Sequence, residues 1–141
     1  MEMKLHSKIL IVLTVVIVVI TGVRVVRWSN EQTYSLEINS DEIYRITFNI
    51  PSTNRIVTDR DEIEEIVRYL NDWVLAEARP ARWPPGEGPP LAIWFWDSEG
   101  NMIGSLGVYH TGLLQRRGGL YQIRGVSSPV RQFEQEFGQE P

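Results

Sequence analysis

The 141-residue chain carries 14 basic and 18 acidic residues, is 43% hydrophobic and contains no cysteine. That composition is globular, not disordered, and it excludes disulfides, thiolate nucleophiles and cysteine-based zinc sites. His6 and His110 are the only two histidines, which excludes a multi-histidine metal centre within one chain, and the length suits one domain with a short appendage.

The charge is unevenly placed. Lys4, Lys8, Arg24 and Arg27 flank an apolar run, and from Ser29 onward 10 Arg face 17 acidic residues with no Lys, a net −7. A domain so acidic, with no basic stripe, repels a phosphate backbone, so nucleic acid is not an expected partner.

Ile9 to Val23 contains no charge. Fifteen helical residues reach about 22 Å, short of a hydrocarbon core of about 30 Å. A cleaved signal peptide and a retained anchor both fit the basic start. No A-x-A cleavage pattern follows, however; Arg24, Val25, Val26, Arg27 and Trp28 come instead. Lys8 and Arg24 can snorkel, the two valines lengthen the span and Trp28 suits the interface, which favours the anchor. Basic residues are balanced on the two sides, so the short N-terminal tail decides the orientation: tail inside, acidic domain outside. The expected division is a tail and signal-anchor at 1–28 with membrane contact through 5–28, a linker at 29–33, and an extracytoplasmic domain at 34–141.

Tyr34, Leu36 and Ile38 alternate with polar residues, as do Tyr44, Ile46, Phe48 and Ile50. Both runs read as strands, and the turn cluster between them makes them a hairpin. Pro51 to Asn54 turns again, and a short strand is expected at Arg55–Val57. Thr58 to Asp72 is the clearest helix. Asp59 with Glu62 forms a D-x-x-E capping pattern, and Ile63, Ile66, Val67 and Leu70 make one apolar stripe. The acids crowding its first turns suit the helix dipole and read as a solvated helix start. Residues 73–78 are ambiguous between helix and strand, with a slight preference for strand. Residues 79–90 hold five of the eight prolines and read as extended. Four strands in a meander follow, in "LAIWFWD", "MIGSLGVY", "GLLQ" and "LYQIR", and Ser128–Pro129 opens a short helix carrying Phe133 and Phe137. The fold class is α+β: a transmembrane helix, then an antiparallel sheet with one amphipathic helix packed on it and a short C-terminal helix.

Few stretches offer chemistry. "DSEGN" (97–101) has oxygen ligands at alternate positions, yet an EF-hand loop needs Gly at its sixth position and Glu at its twelfth. Counting from Asp97, Gly100 is fourth and Val108 is twelfth. Asp97 and Gly100 instead match a turn between strands. No metal or other cofactor is expected. His110 follows a strand end without the motif of a nucleophile elbow, so no catalytic residue is assigned; a hydrolase acting on envelope material through His110 and carboxylates is the alternative to a binding module. The aromatic strand is more telling. Leu91, Ile93 and Phe95 face one way, and Trp94 and Trp96 face the other. Either the proline segment with Trp83 straps the tryptophan face, or Trp83, Trp94 and Trp96 offer a stacking surface to another envelope protein or a cell-surface ligand.

"YRITFNIPSTNRIVTDRDEIEEIVRYLN", "LAIWFWDSEGNMIGSL" and "GGLYQIRG" together resemble small envelope-exposed domains of Gram-positive bacteria, most of which begin with a lipoprotein or signal-anchor segment. The resemblance covers roughly Tyr44 to Gly125. It implies export and an α+β fold, and it carries over no catalytic residue. The chain departs from the pattern in lacking a lipid-anchor cysteine and in its long proline-rich segment.

Overall fold

The apolar N-terminal run forms one helix, α1 (Leu5–Ser29). Its described side chains are exposed along its length, and Leu5–Val23 has the length and mean hydropathy, 2.3, of a candidate membrane span. Thr14 and Thr21 donate their hydroxyls to the carbonyls of Leu10 and Ile17, so the two hydroxyls of the apolar run are satisfied within the helix. The computed structural model describes residues 4–29, 31–78 and 88–140. The chain divides into two compact units, Met1–Gln32 and Thr33–Pro141.

The second unit is α+β. Its strands are β1 (Thr33–Tyr34), β2 (Arg45–Ile50), β3 (Thr53–Val57), β4 (Val74–Glu77), β5 (Leu91–Trp96), β6 (Met102–Val108), β7 (Leu113–Arg116) and β8 (Gly119–Arg124). They form one eight-stranded sheet in the order β1-β4-β8-β7-β6-β5-β2-β3, every neighbouring pair antiparallel. The helices of this unit are α2 (Arg60–Asn71) and α3 (Pro129–Phe137). Strand at 74–77 resolves the ambiguity after α2, and the meander of β5 to β8 follows the expected order.

One face of the sheet carries the core. Ile46, Phe48 and Ile50 of β2 join Leu91, Ile93 and Phe95 of β5 there, with Leu106, Val108, Leu114 and Ile123 from the later strands. The α2 stripe of Ile63, Ile66, Val67 and Leu70 and the α3 residues Val130, Phe133 and Phe137 complete the same cluster. Phe48 and Phe133 meet edge-on with ring centroids 5.1 Å apart, a favoured aromatic geometry. Asp59 caps α2 by accepting the Glu62 N–H. The reciprocal half of the capping box gives way to another bond: the Glu62 carboxylate lies 2.8 Å from Nη1 of Arg55. At α3, Pro129 opens the first turn as expected, but the Ser128 hydroxyl makes no capping bond.

The expected hairpin of 34–38 with 44–50 does not form. The first strand ends at Tyr34 and pairs with β4, toward the far side of the sheet from β2. Two local contacts explain the break. Glu37 takes φ +52°, and the Asn71 side chain captures both backbone groups of Ile38, its Oδ1 accepting from N–H at 2.8 Å and its Nδ2 donating to C=O at 2.9 Å. Residues 35–44 therefore cross from one side of the sheet to the other, and α2 makes the return crossing. Arg60 fastens the opposite end, donating to the carbonyls of Ser40 and Ile43. Leu36 and Ile43 are still buried, so the apolar alternation survives without the strand.

Tyr69 leans on Trp73, Phe133 and Phe137. Burial, with Glu136 nearby, raises its pKa above the ordinary 10.0. A raised folded-state value means that stability is whole below the unfolded pKa and falls as the pH rises from there through the folded value. Tyr69→Phe should therefore flatten the loss of thermal stability above about pH 10, while changing little at neutral pH. Unfolding curves between pH 8 and 11 check this; an unchanged alkaline slope contradicts it.

Candidate functional site

The second face of the sheet bears the aromatic residues singled out in the sequence. β5 pairs Trp94 with Thr47 on one side and with Ser105 on the other, and Trp96 with Arg45 and Met102. Paired residues share a face, so Arg45, Thr47, Trp94, Trp96 and Ser105 form a band across three strands. Ile56 continues it onto β3 through its pairing with Thr47. Trp94 and Trp96 are half-buried on this face, as alternation predicts. Trp83 lies outside the described residues.

Trp96 is held firmly. Its indole N–H donates to the Thr47 hydroxyl at 2.9 Å, and the Arg45 guanidinium carbon stands 4.9 Å from its ring centroid. That is a cation–π contact. The Arg45 Nε is buried with no hydrogen-bond partner among the described residues. Arg45 was not singled out in the sequence. The alternation of β2 puts it on the polar face, but its position over Trp96 depends on a strand register that no local pattern fixes.

The end of the proline-rich segment reaches this face. A Cβ added to Gly107 would lie 2.9 Å from Cγ of Pro89. Gly107 pairs with Ala92, so Pro89 rests against the sheet one step along from the tryptophans. This close approach needs the missing side chain. The rest of the strap expected from this segment falls in 79–87, outside the described residues.

The remaining candidates resolve into turns. Asp97 Oδ1 accepts from the N–H groups of Glu99 and Asn101, and Gly100 takes φ +83° while donating to Asp97 O. The carboxylate thus organises the β5–β6 turn. His110 sits exposed at the β6–β7 turn. Among the described residues no three His, Asp or Glu side chains are grouped to hold a metal. An open depression of about 740 Å³ is lined by Tyr34, Glu77, Gln115 and Tyr121, and a smaller one of about 160 Å³ by Glu37, Glu42, Phe95 and Arg116. His110 lines neither. The geometry on the tryptophan face suits binding through aromatic and cationic contact.

No protein-family model, curated protein or solved structure matches the chain.

Gly107→Ala tests the seating of Pro89. It should destabilise the fold by about 1–3 kcal/mol, the usual cost of overpacking a tight contact. Thermal unfolding reads it; an unchanged midpoint would mean that Pro89 does not rest on the sheet.

Proposed function

We propose that the chain is a single-span membrane protein whose acidic α+β domain lies outside the cytoplasm and acts as a non-catalytic binding, sensing or modulating module at the cell surface. The observation that carries this reading is the exposed apolar helix. Leu5–Val23 is 19 residues with none of its side chains buried, and α1 as a whole is 25 residues, about 38 Å at 1.5 Å per residue. So much exposed apolar surface is unfavourable in water and suited to lipid.

Three further points support it. Lys4 and Lys8 precede the uncharged run Ile9–Val23, and Arg24 and Arg27 follow it without a small-residue cleavage pattern. The resemblance of Tyr44 to Gly125 to envelope-exposed domains implies export. The Trp94–Trp96–Arg45 band supplies the aromatic and arginine groups that dominate binding hot spots. In this reading the band contacts a neighbouring envelope protein or cell-surface ligand.

In membranes of the expressing cell, the chain should retain its full mass, sediment with the membrane fraction and lose residues 34–141 to protease added outside. A mature protein beginning after Gly22, or a domain shielded from external protease, would refute the anchor and its orientation. The binding surface is read separately: Trp94→Ala should abolish crosslinking to the neighbour while the domain remains folded. Unaltered crosslinking would move the site elsewhere.

A further inference from the structure

Among the described residues the sheet ends on one side at β3, with only β2 beside it. The register between them is unbroken over five pairs, from Ile46↔Val57 to Ile50↔Thr53. The direction of the outer backbone groups follows from hydrogen bonds further in. Asp97 N–H donates to Asn101 O, so Asp97 faces β6, while Trp96 O accepts from Tyr44 N–H on the β2 side. Antiparallel strands alternate the sides to which successive residues present N–H and C=O. Carrying that alternation through Trp94↔Thr47 and Phe48↔Arg55 gives Arg55 to β2 and leaves Asn54 and Ile56 pointing outward. Among the described residues, the only hydrogen bond at either outer position is a long one, 3.4 Å, from the Thr53 hydroxyl to Asn54 O.

Two more features converge on this edge. Ile56 is 71% exposed, the most exposed large hydrophobic residue described in Thr33–Pro141. Residues 51–58 contain a single charge, Arg55, and that charge is turned inward and paired with Glu62. Exposed strand edges in monomers are usually blunted by lysine, proline or a bulge. Thr53–Val57 contains neither lysine nor proline, and its register shows no bulge.

We infer that β3 pairs antiparallel with β3 of a second copy of this chain. The occupant follows from charge and symmetry. Two domains of net −6 from Thr33 onward repel each other, and this edge is where they meet without like charge. An antiparallel pairing of a strand with itself is closed by a two-fold axis, so it forms a dimer and stops. Centring the axis on Arg55 would bring two guanidiniums opposite each other. Centring it on Ile56 places the two exposed isoleucines side by side and matches outward N–H with outward C=O. The Trp94–Thr47–Ile56 band of one copy then continues into that of the other. The inference rests on the anchored reading only in that confinement to one membrane raises the effective concentration of copies.

The natural chain has no cysteine, so single-cysteine variants of the full chain report position cleanly. In membranes, a short bis-maleimide should convert Ile56→Cys, and one spanning about 15 Å should convert Asn54→Cys, whose two copies stand four strand residues apart, to covalent dimers of twice the chain mass; both should leave Ser98→Cys, on the β5–β6 turn, monomeric. Adding Ile56→Asp to the Asn54→Cys chain should abolish the dimer without lowering its thermal midpoint, because the side chain is exposed. No covalent dimer from either edge variant, an equal yield from Ser98→Cys, or an adduct of another mass would overturn the inference. Fractionation of the same cells separates the two claims. A membrane-bound chain that does not crosslink refutes the dimer alone, and a soluble chain that crosslinks refutes the anchor alone.

Discussion

A guanidinium taken out of water costs several kcal/mol unless an anion and further acceptors meet it inside. Arg55 is the buried charged residue of the described core, and its environment ties together elements that the chain visits far apart. It stands on β3, opposite Phe48. One nitrogen, Nη1, donates to the Phe137 carbonyl at 2.7 Å and lies 2.8 Å from the Glu62 carboxylate. Its guanidinium carbon is 5.7 Å from the Phe48 ring centroid, while its Nε has no hydrogen-bond partner. The cation thus sits against the carbonyl end of α3, where the helix dipole is negative, and against the first turn of α2. Neither helix can leave its place on the sheet without stranding a buried charge.

The consequence is a division of labour between the two faces. The inner face is committed to helices. Arg55 fixes the α2 and α3 ends nearest β3, and Asn71 and Arg60 bind the crossing of residues 35–44 to both ends of α2. With the helices committed there, Trp94 and Trp96 fall to the opposite face, where Arg45 and Thr47 orient Trp96. An aromatic group whose direction is already fixed loses little entropy on binding. The binding function proposed for this face therefore depends on the rigidity created on the other.

Much of this was legible in the sequence because two periods dominate it. Alternation located β2 and the two faces of β5, the meander of β5 to β8 was legible in order, and the 3.6-residue stripe from Ile63 to Leu70 located α2; β3 was expected only at Arg55–Val57 and begins two residues earlier, at Thr53. Alternation also placed Trp94 and Trp96 together on the face opposite Phe95. Local patterns failed where a long-range contact overrode them. Tyr34 to Ile38 alternates like a strand, yet the Asn71 amide claims the Ile38 backbone and Glu37 turns left-handed. Pairing β1 with β4 closes a loop of roughly forty residues, which no short-range pattern specifies. Arg55 carried a partial signal: it shares its face with Val57, an apolar position. Its acceptor on Phe137 lies 82 residues away, so its role depends on where α3 docks.

The claim that the Arg55 pair fixes the helices is tested most directly by removing the charges singly and together. Arg55→Met leaves Glu62 without its cation and should lower the unfolding free energy by about 3–5 kcal/mol, the usual loss when one member of a buried pair is removed. The chain carrying both Arg55→Met and Glu62→Leu should recover most of that loss, because an apolar pair of similar volume needs no counter-charge. Denaturant unfolding of the unaltered chain and the three variants gives the coupling. If the double replacement is as unstable as the sum of the single ones, the two residues act independently and the pair is not what holds the helices to the sheet.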